Sequence, residues 1–166
     1  MQNNISKVLE KEINNNYNYQ KVFLCVGTNK CIGDSLGPRV GEILLRKIKQ
    51  NNIYVFGNIE QNVTYNNINI ILEKIYNKII NPYLIIIDSA LSDREYIGNI
   101  IINKKNMTIG SGLNKNDYQL GNLSIKGIVG ENQNSSINNF NTLSHVSKDL
   151  IEKLSENISN QIMESL

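Results

Sequence analysis

Two aspartates follow apolar runs at positions that a parallel sheet would bring together. Asp34 lies in a loop after the apolar run at residues 22–26, and Asp88 directly follows the run YLIII at residues 83–87. Two carboxylates in one crevice do not both ionise at low cost, so one keeps its proton. A protonated carboxyl can polarise a carbonyl while the charged one activates water.

A structural interpretation of the same two residues is equally compatible with their spacing. Asp34 stands just ahead of a segment with helical spacing, where a carboxylate interacts favourably with the positive helix end. Asp88 could accept hydrogen bonds from loop amides, as aspartates at strand ends do. Both interpretations therefore stay open at the level of sequence.

The elements around Asp34 are predicted to be a strand, a loop and a helix. Residues 21–41 read KVFLCVGTNKCIGDSLGPRVG, and the loop holds three glycines before Pro38 opens the helical segment. A second strand is predicted over residues 53–56, a helix over 68–79, and a third strand over 83–87 that ends at Asp88. This β-α-β-α-β pattern predicts an α/β fold whose parallel sheet carries helices on both faces. With strand order 2-1-3, Asp34 and Asp88 meet at the topological switch point.

The rest of the chain is predicted to complete one domain over residues 1–166. Residues 1–20 form an amphipathic helix and an Asn-rich linker, and strands are predicted over 96–103 and 120–129. One closing helix is expected over residues 141–166, from apolar residues at helical spacing: Leu143, Val146, Leu150, Ile151, Leu154, Ile158 and Ile162. Neither a repeat nor a change in composition marks a domain boundary.

Charge and hydropathy argue against several classes of protein. The 166 residues carry a net charge of +2, without a basic stripe, which argues against nucleic-acid binding and against a charged membrane-surface role. A spanning helix needs about 20 apolar residues, and no run approaches that length. The N-terminus lacks the basic-then-apolar order of a signal peptide, so a cytoplasmic protein is expected.

Other motifs in the same loop suggest different chemistry. Residues 33–36 spell GDSL, the block of a family of serine esterases in which Ser35 would be the nucleophile. That family completes its site with Asp-x-x-His, but Thr142 stands three places before His145 here. The glycines also suggest a phosphate loop, although neither common phosphate-binding motif is present.

Three motifs resemble those of the YyaC-type sporulation proteins, which are related to the germination protease of spore-forming bacteria. CVGTNKCIGDSLGPRVG resembles their strand-loop signature and IIIDSAL their second aspartate motif, while GSGLNK and GNLSIKGIV resemble their Gly-rich turn and following strand. The resemblance covers roughly residues 22–129. It implies that Asp34 and Asp88 are the catalytic aspartates of a sporulation-associated endopeptidase. It also implies a three-layer α/β/α sandwich with a mostly parallel central sheet, shared with hydrogenase-maturation endopeptidases.

The same resemblance suggests what the site binds. Substrate contacts are expected beside the aspartates and in the Gly-rich turn, at Gly33, Ser35, Ser89, Gly110, Ser111 and Gly112. The expected partner is a protein or peptide substrate such as a small spore protein, and a homo-oligomer is possible. No cofactor or metal is expected, because His145 lies outside the histidine position of the nickel-sensing maturation endopeptidases. The main alternative is a non-catalytic regulatory or scaffold protein that keeps the fold and binds a partner.

Overall fold

Helices and strands alternate along most of the chain in this computed structural model, which describes residues 5–104, 107–109 and 118–166. Among those residues the helices are α1 (Ile5–Asn15), α2 (Leu36–Lys47), α3 (Ile68–Lys78), α4 (Ser136–Ser144) and α5 (Lys148–Ser165). The strands are β1 (Gln20–Cys25), β2 (Ile53–Phe56), β3 (Pro82–Ser92), β4 (Ile100–Asn103), β5 (Met107–Ile109), β6 (Tyr118–Leu120) and β7 (Leu123–Glu131).

The main sheet has five strands in the order β2-β1-β3-β7-β4. The first four strands are parallel, and β4 runs antiparallel to β7 at the edge. The predicted order 2-1-3 is therefore confirmed, and so is the mostly parallel α/β architecture. Strands β5 and β6 pair with each other in a separate antiparallel sheet.

Apolar side chains of the central strands alternate between two cores, one on each face of the sheet. Phe23 and Ile85 point into the core beneath α1, α2 and α5. Leu24 and Ile86 point into the opposite core, which α3 covers. A strand with helices on both faces is apolar at every position, which is why residues 83–87 form a continuous apolar run.

The third strand does not end at Asp88, contrary to the sequence prediction. Strand β3 continues to Ser92 because β7 supplies a parallel partner along its whole second half, up to Glu131. The pairing shifts register between Ala90 and Leu91. Asp88 therefore lies inside a paired strand rather than in a loop.

The single closing helix predicted over residues 141–166 is wrong, because two helices occupy this part of the chain. Helix α4 ends at Ser144, where the His145 ring contacts the carbonyl of Asn141 through Nδ1 at 2.8 Å. Ser147 then adopts an extended backbone and precedes α5. Val146 between the helices is buried, so the apolar spacing continues across the break and hides it from sequence analysis.

Three other predicted boundaries differ from those observed in the structure. Helix α2 begins at Leu36 after a 3-10 turn over Gly33–Ser35, so Pro38 is its third residue rather than its first. The strand predicted over residues 96–103 begins only at Ile100. The strand predicted over 120–129 begins at Leu123, since Gly121 with φ +86° separates it from β6.

Among the helices that the structure describes, none combines the length and apolar character that crossing a membrane requires.

Candidate functional site

Asp34 lies in the loop that leaves the carboxyl end of β1. The loop begins at Gly27, whose φ of +139° is rarely adopted by residues with a side chain. Gly27 donates its N–H to the carbonyl of Val63, and Thr28 donates its N–H to the Asp34 carbonyl at 3.1 Å. A Cβ atom on Gly27 would stand 2.1 Å from that same carbonyl oxygen. The loop can therefore fold back over the strand end only with glycine at this position.

Asp88 and Ser89 come from β3, the neighbour of β1 in the sheet. The backbone N–H of Ser89 donates to Oδ1 of Asp88 at 2.8 Å. The hydroxyl of Ser89 donates to Oδ1 of Asp34 at 3.5 Å. Ser89 thus contacts both carboxylates, and all three residues are partly buried. The fold brings the two predicted catalytic residues together through the adjacent strands β1 and β3.

Burial raises the pKa of both carboxyl groups, and repulsion from Asp34 adds to the rise at Asp88. Burial raises the pKa of Asp34, and the hydrogen bond from Ser89 partly opposes that change. Burial, which is the largest cause, and the charge of Asp34 together raise the pKa of Asp88 to about 7, against the opposing effects of the Lys126 charge and the Ser89 amide. Near neutral pH about half of the molecules therefore hold a proton on Asp88. One carboxyl acid beside a second carboxyl is the arrangement that shared acid and base catalysis requires.

The alternative interpretation, in which Asp34 caps a helix and Asp88 accepts hydrogen bonds from loop amides, agrees with only some of the observed contacts. Helix α2 has Ser35 at its N-cap position, and neither that helix nor the preceding 3-10 turn has a side-chain capping hydrogen bond. Asp34 is therefore not a helix cap. Asp88 does accept a backbone N–H, but from its own neighbour Ser89. A single local amide is a weak reason to place a carboxylate inside a paired strand at the centre of the sheet.

The serine esterase interpretation does not fit the surroundings of Ser35. This residue is 6% exposed, and its hydroxyl donates to the carbonyl of Ile32 at 2.7 Å. His145, the candidate general base, is exposed and contacts its own helix through Nδ1. A serine nucleophile needs a base within hydrogen-bond reach and an open path to the substrate. Ser35 has neither among the contacts of the described residues.

The predicted substrate-binding residues have different outcomes. Gly33 is buried, and a Cβ atom there would stand 2.8 Å from the carbonyl oxygen of Leu143 in α4. Gly33 and Ser35 are both buried, and their assignment to substrate contact stays a prediction. Ser89 stays beside the aspartates. Gly110, Ser111 and Gly112 lie outside the described residues. Within the described part of the chain, no group of three or more His, Cys, Asp or Glu side chains is placed to hold a metal ion.

Lys126, which lies across from Asp88 in the sheet, was not predicted as a site residue from the sequence. Lys126 is the register partner of Asp88 in the adjacent strand β7. Its charge acts on the Asp88 carboxyl in the direction opposite to burial. A sequence signal was available, because Lys126 is the one charged residue within the segment LSIKGIVG of β7.

The family described as "Protein of unknown function (DUF1256)" matches residues 1–161. The chain belongs to this family. It is 32% identical over 108 residues to the protein described as "Uncharacterized protein YyaC" from Bacillus subtilis (strain 168). That alignment covers 65% of this chain and 52% of the relative, so the chain matches about half the length of that protein.

Two solved structures resemble this fold at low sequence identity. The NiFe hydrogenase maturation protease HycI from Thermococcus kodakarensis KOD1 is 18% identical, with a TM-score of 0.63 over 96% of this chain and 98% of that one. The hydrogenase maturating endopeptidase HybD from E. coli is 14% identical, with a TM-score of 0.45 over 88% of this chain and 93% of that one. The first likeness confirms the expected α/β/α fold.

Proposed function

We propose that this protein is a peptidase-type hydrolase of sporulating cells in which Asp34 and Asp88 together cleave a peptide bond. The observation that carries the proposal is the convergence of the two carboxyl groups on Ser89, with the pKa of Asp88 raised to about 7. An acid that titrates near the working pH transfers protons efficiently in both directions. The fold is also that of a solved maturation protease, which is compatible with a hydrolase.

The protonation of the pair suggests a division of roles. Asp88 holds the proton and donates a hydrogen bond to the carbonyl oxygen of the scissile peptide. Asp34, whose charged form is favoured by the Ser89 hydroxyl, takes a proton from a water molecule. The water oxygen forms a bond to the carbonyl carbon, and the Asp88 proton passes to the carbonyl oxygen. A proton from Asp34 then reaches the amide nitrogen. As the C–N bond breaks, one hydroxyl of the intermediate returns its proton to Asp88, and the two products leave as a carboxylic acid and an amine.

The substrate that we propose is a protein or peptide of the sporulating cell or spore interior, such as a small spore protein. This part of the proposal rests on the motifs that carry both aspartates and on the relationship to the YyaC protein. The reaction needs no cofactor, because the two carboxyl groups provide both the acid and the base. Ser89 contacts both carboxyl groups and would hold them in one site.

The test is a cleavage assay on purified small spore proteins and on a peptide library, with the full chain. Asp34→Asn and Asp88→Asn should each lose activity by ~100-fold or more, since each removes a proton-transfer group. Asp93→Asn is the matched control, because Asp93 is an exposed aspartate and makes no capping hydrogen bond. Full activity in either site variant would overturn the proposal. A wild type that cleaves nothing, yet binds a spore protein through Asp34, would favour the scaffold alternative.

A chelator separates this mechanism from metal-assisted hydrolysis. Ethylenediaminetetraacetate should leave the rate of cleavage within about 2-fold of the untreated rate, because no step uses a metal. Activity that is lost with the chelator and restored by zinc or nickel would assign the reaction to a metal site instead.

A further inference from the structure

Lys126 occupies an unusual position beside the aspartate pair. It lies within β7 between buried residues, Ile125 on one side and Gly127 on the other, and is itself only partly exposed. Lysine is seldom placed in such a strand without a charged partner. Its register partner is Asp88, and residues paired across adjacent parallel strands project from the same face of the sheet. The strand pairing therefore holds an ammonium group on the same side as the Asp88 carboxyl.

Within the part of the chain that the structure describes, no ion pair accounts for this lysine. Among residues 5–104, 107–109 and 118–166, the ion pairs join Arg39 to Glu152, Arg46 to Glu42 and Lys104 to Glu12. Lys126 belongs to none of them. Its charge acts on its register partner Asp88, across one strand spacing of about 4.8 Å between backbones, and lowers the pKa of that carboxyl.

We propose that Lys126 is a positioning residue whose positive charge, held beside Asp88 by the strand register, lets the aspartate pair release the proton that it shares. The inference rests on the proposed function, because a proton that must be transferred is useful only in a reacting site. It adds a third charged group, from a third strand, to the two carboxyl groups.

The balance of charges explains why such a group is needed. Burial and the neighbouring Asp34 both favour the protonated form of Asp88, whereas Lys126 and the N–H of Ser89 favour the charged form. Among the described residues these are the groups that act on the Asp88 carboxyl. Without the ammonium, Asp88 would keep its proton to a higher pH and would be a weaker acid. General acid catalysis is most efficient when the pKa of the acid lies near the working pH.

The experiment follows the titration of Asp88 directly, in the folded full-length chain. Aspartate is labelled with 13C at the carboxyl carbon, and Asp88→Asn identifies the Asp88 signal. Lys126→Met removes the charge and keeps the length of the side chain, Lys126→Arg keeps the charge, and Lys74→Met removes an exposed lysine from α3. If Lys126→Met does not fold, as judged by circular dichroism, Lys126→Gln provides the same test.

The expected result is an upward shift of the Asp88 midpoint by about one pH unit in Lys126→Met, since an opposite charge nearby shifts a carboxyl by about that much or more. Lys126→Arg should restore most of the wild-type midpoint, and Lys74→Met should leave it in place. The pH profile of kcat should move upward by the same amount in Lys126→Met, with a smaller change in KM. A merely structural lysine would lower stability without moving either midpoint.

Different outcomes separate this inference from the proposed function. An unchanged Asp88 midpoint in the variant without charge, or an equal shift in Lys126→Arg, would overturn the role of Lys126 even in an active peptidase. If the Asp88 titration midpoint shifts in Lys126→Met but the protein cleaves no peptide, the proposed peptidase function and the catalytic role of proton release are both overturned. The electrostatic coupling between Lys126 and Asp88 would then still have been measured.

Discussion

The hydroxyl of Ser89 donates a hydrogen bond to Oδ1 of Asp34 across 3.5 Å, and this contact joins β3 to the loop that follows β1. The amide of the same residue donates to Asp88. A single serine therefore links two carboxyl groups that are 54 positions apart in the sequence. This link makes the pair one unit, so a change at either aspartate should be felt at both.

The aspartate variants should separate stability from activity. Because burial and repulsion both raise the pKa of Asp88, its charged form destabilises the fold at alkaline pH. At pH 8, Asp34→Asn and Asp88→Asn should each be at least as stable as wild type while losing most activity. The double variant should be hardly less active than either single one, since residues that act together lose function together. Thermal melts and the cleavage assay, run on the same variants, test this prediction. Destabilised variants that cleave normally would show that both aspartates have only a structural role.

The free energy of unfolding should fall as pH rises from about 4 to about 7. The folded pKa of Asp88 is raised to about 7 from an ordinary value of 3.8, so the folded state binds more protons than the unfolded chain across this window. The stabilisation present at low pH is lost as pH rises through the folded pKa, by on the order of 3 kcal/mol between pH 4 and pH 8.

Urea unfolding at pH 5, 6, 7 and 8 measures this dependence. The difference between wild type and Asp88→Asn removes the contribution of the titrating groups that do not interact with Asp88. That difference should grow in favour of the variant as pH rises, and a difference that is flat across the four pH values would contradict the raised pKa.

Ser35→Ala should lower stability and spare activity. The variant removes a buried hydroxyl whose hydrogen bond to the Ile32 carbonyl is worth about 1 kcal/mol. Because Ser35 plays no part in proton transfer, cleavage should stay within about 2-fold of wild type. Mass spectrometry after treatment with a serine-directed phosphonate should find no label at Ser35. Stoichiometric labelling there would revive the esterase interpretation.

Gly27→Ala should disable the site by moving Asp34. The added Cβ atom would stand 2.1 Å from the Asp34 carbonyl, in a backbone conformation that alanine rarely adopts. Gly98→Ala is the matched control, since Gly98 also has a positive φ but its Cβ atom would have 3.8 Å of space. Both variants should lose about 1–3 kcal/mol of stability, measured by denaturant unfolding. Only Gly27→Ala should also lose activity at temperatures where it stays folded.

Several features of this protein could be predicted from local sequence because each arises from local physical chemistry. Apolar periodicity predicted β1, β2, α1 and α3 with boundaries close to those observed. The number of faces that an element buries determines which of its positions are apolar, and that pattern can be recognised in the sequence. The order 2-1-3 of a doubly wound sheet was expected for the first three strands, and the structure has that order. That order sufficed to place Asp34 beside Asp88 without any knowledge of the second half of the chain.

Only the tertiary structure decided which neighbours act on the pair. The pattern at Asp88 resembles a strand end, because a polar residue stops an apolar run, but pairing with β7 extends β3 to Ser92. That long-range pairing makes Lys126 the register partner of Asp88, where its charge opposes the rise in the pKa of the carboxyl. The break at His145 was hidden for a related reason, since buried Val146 continues the apolar spacing. Local sequence determines which side chains must be buried, whereas strand register and packing determine which charges share the site.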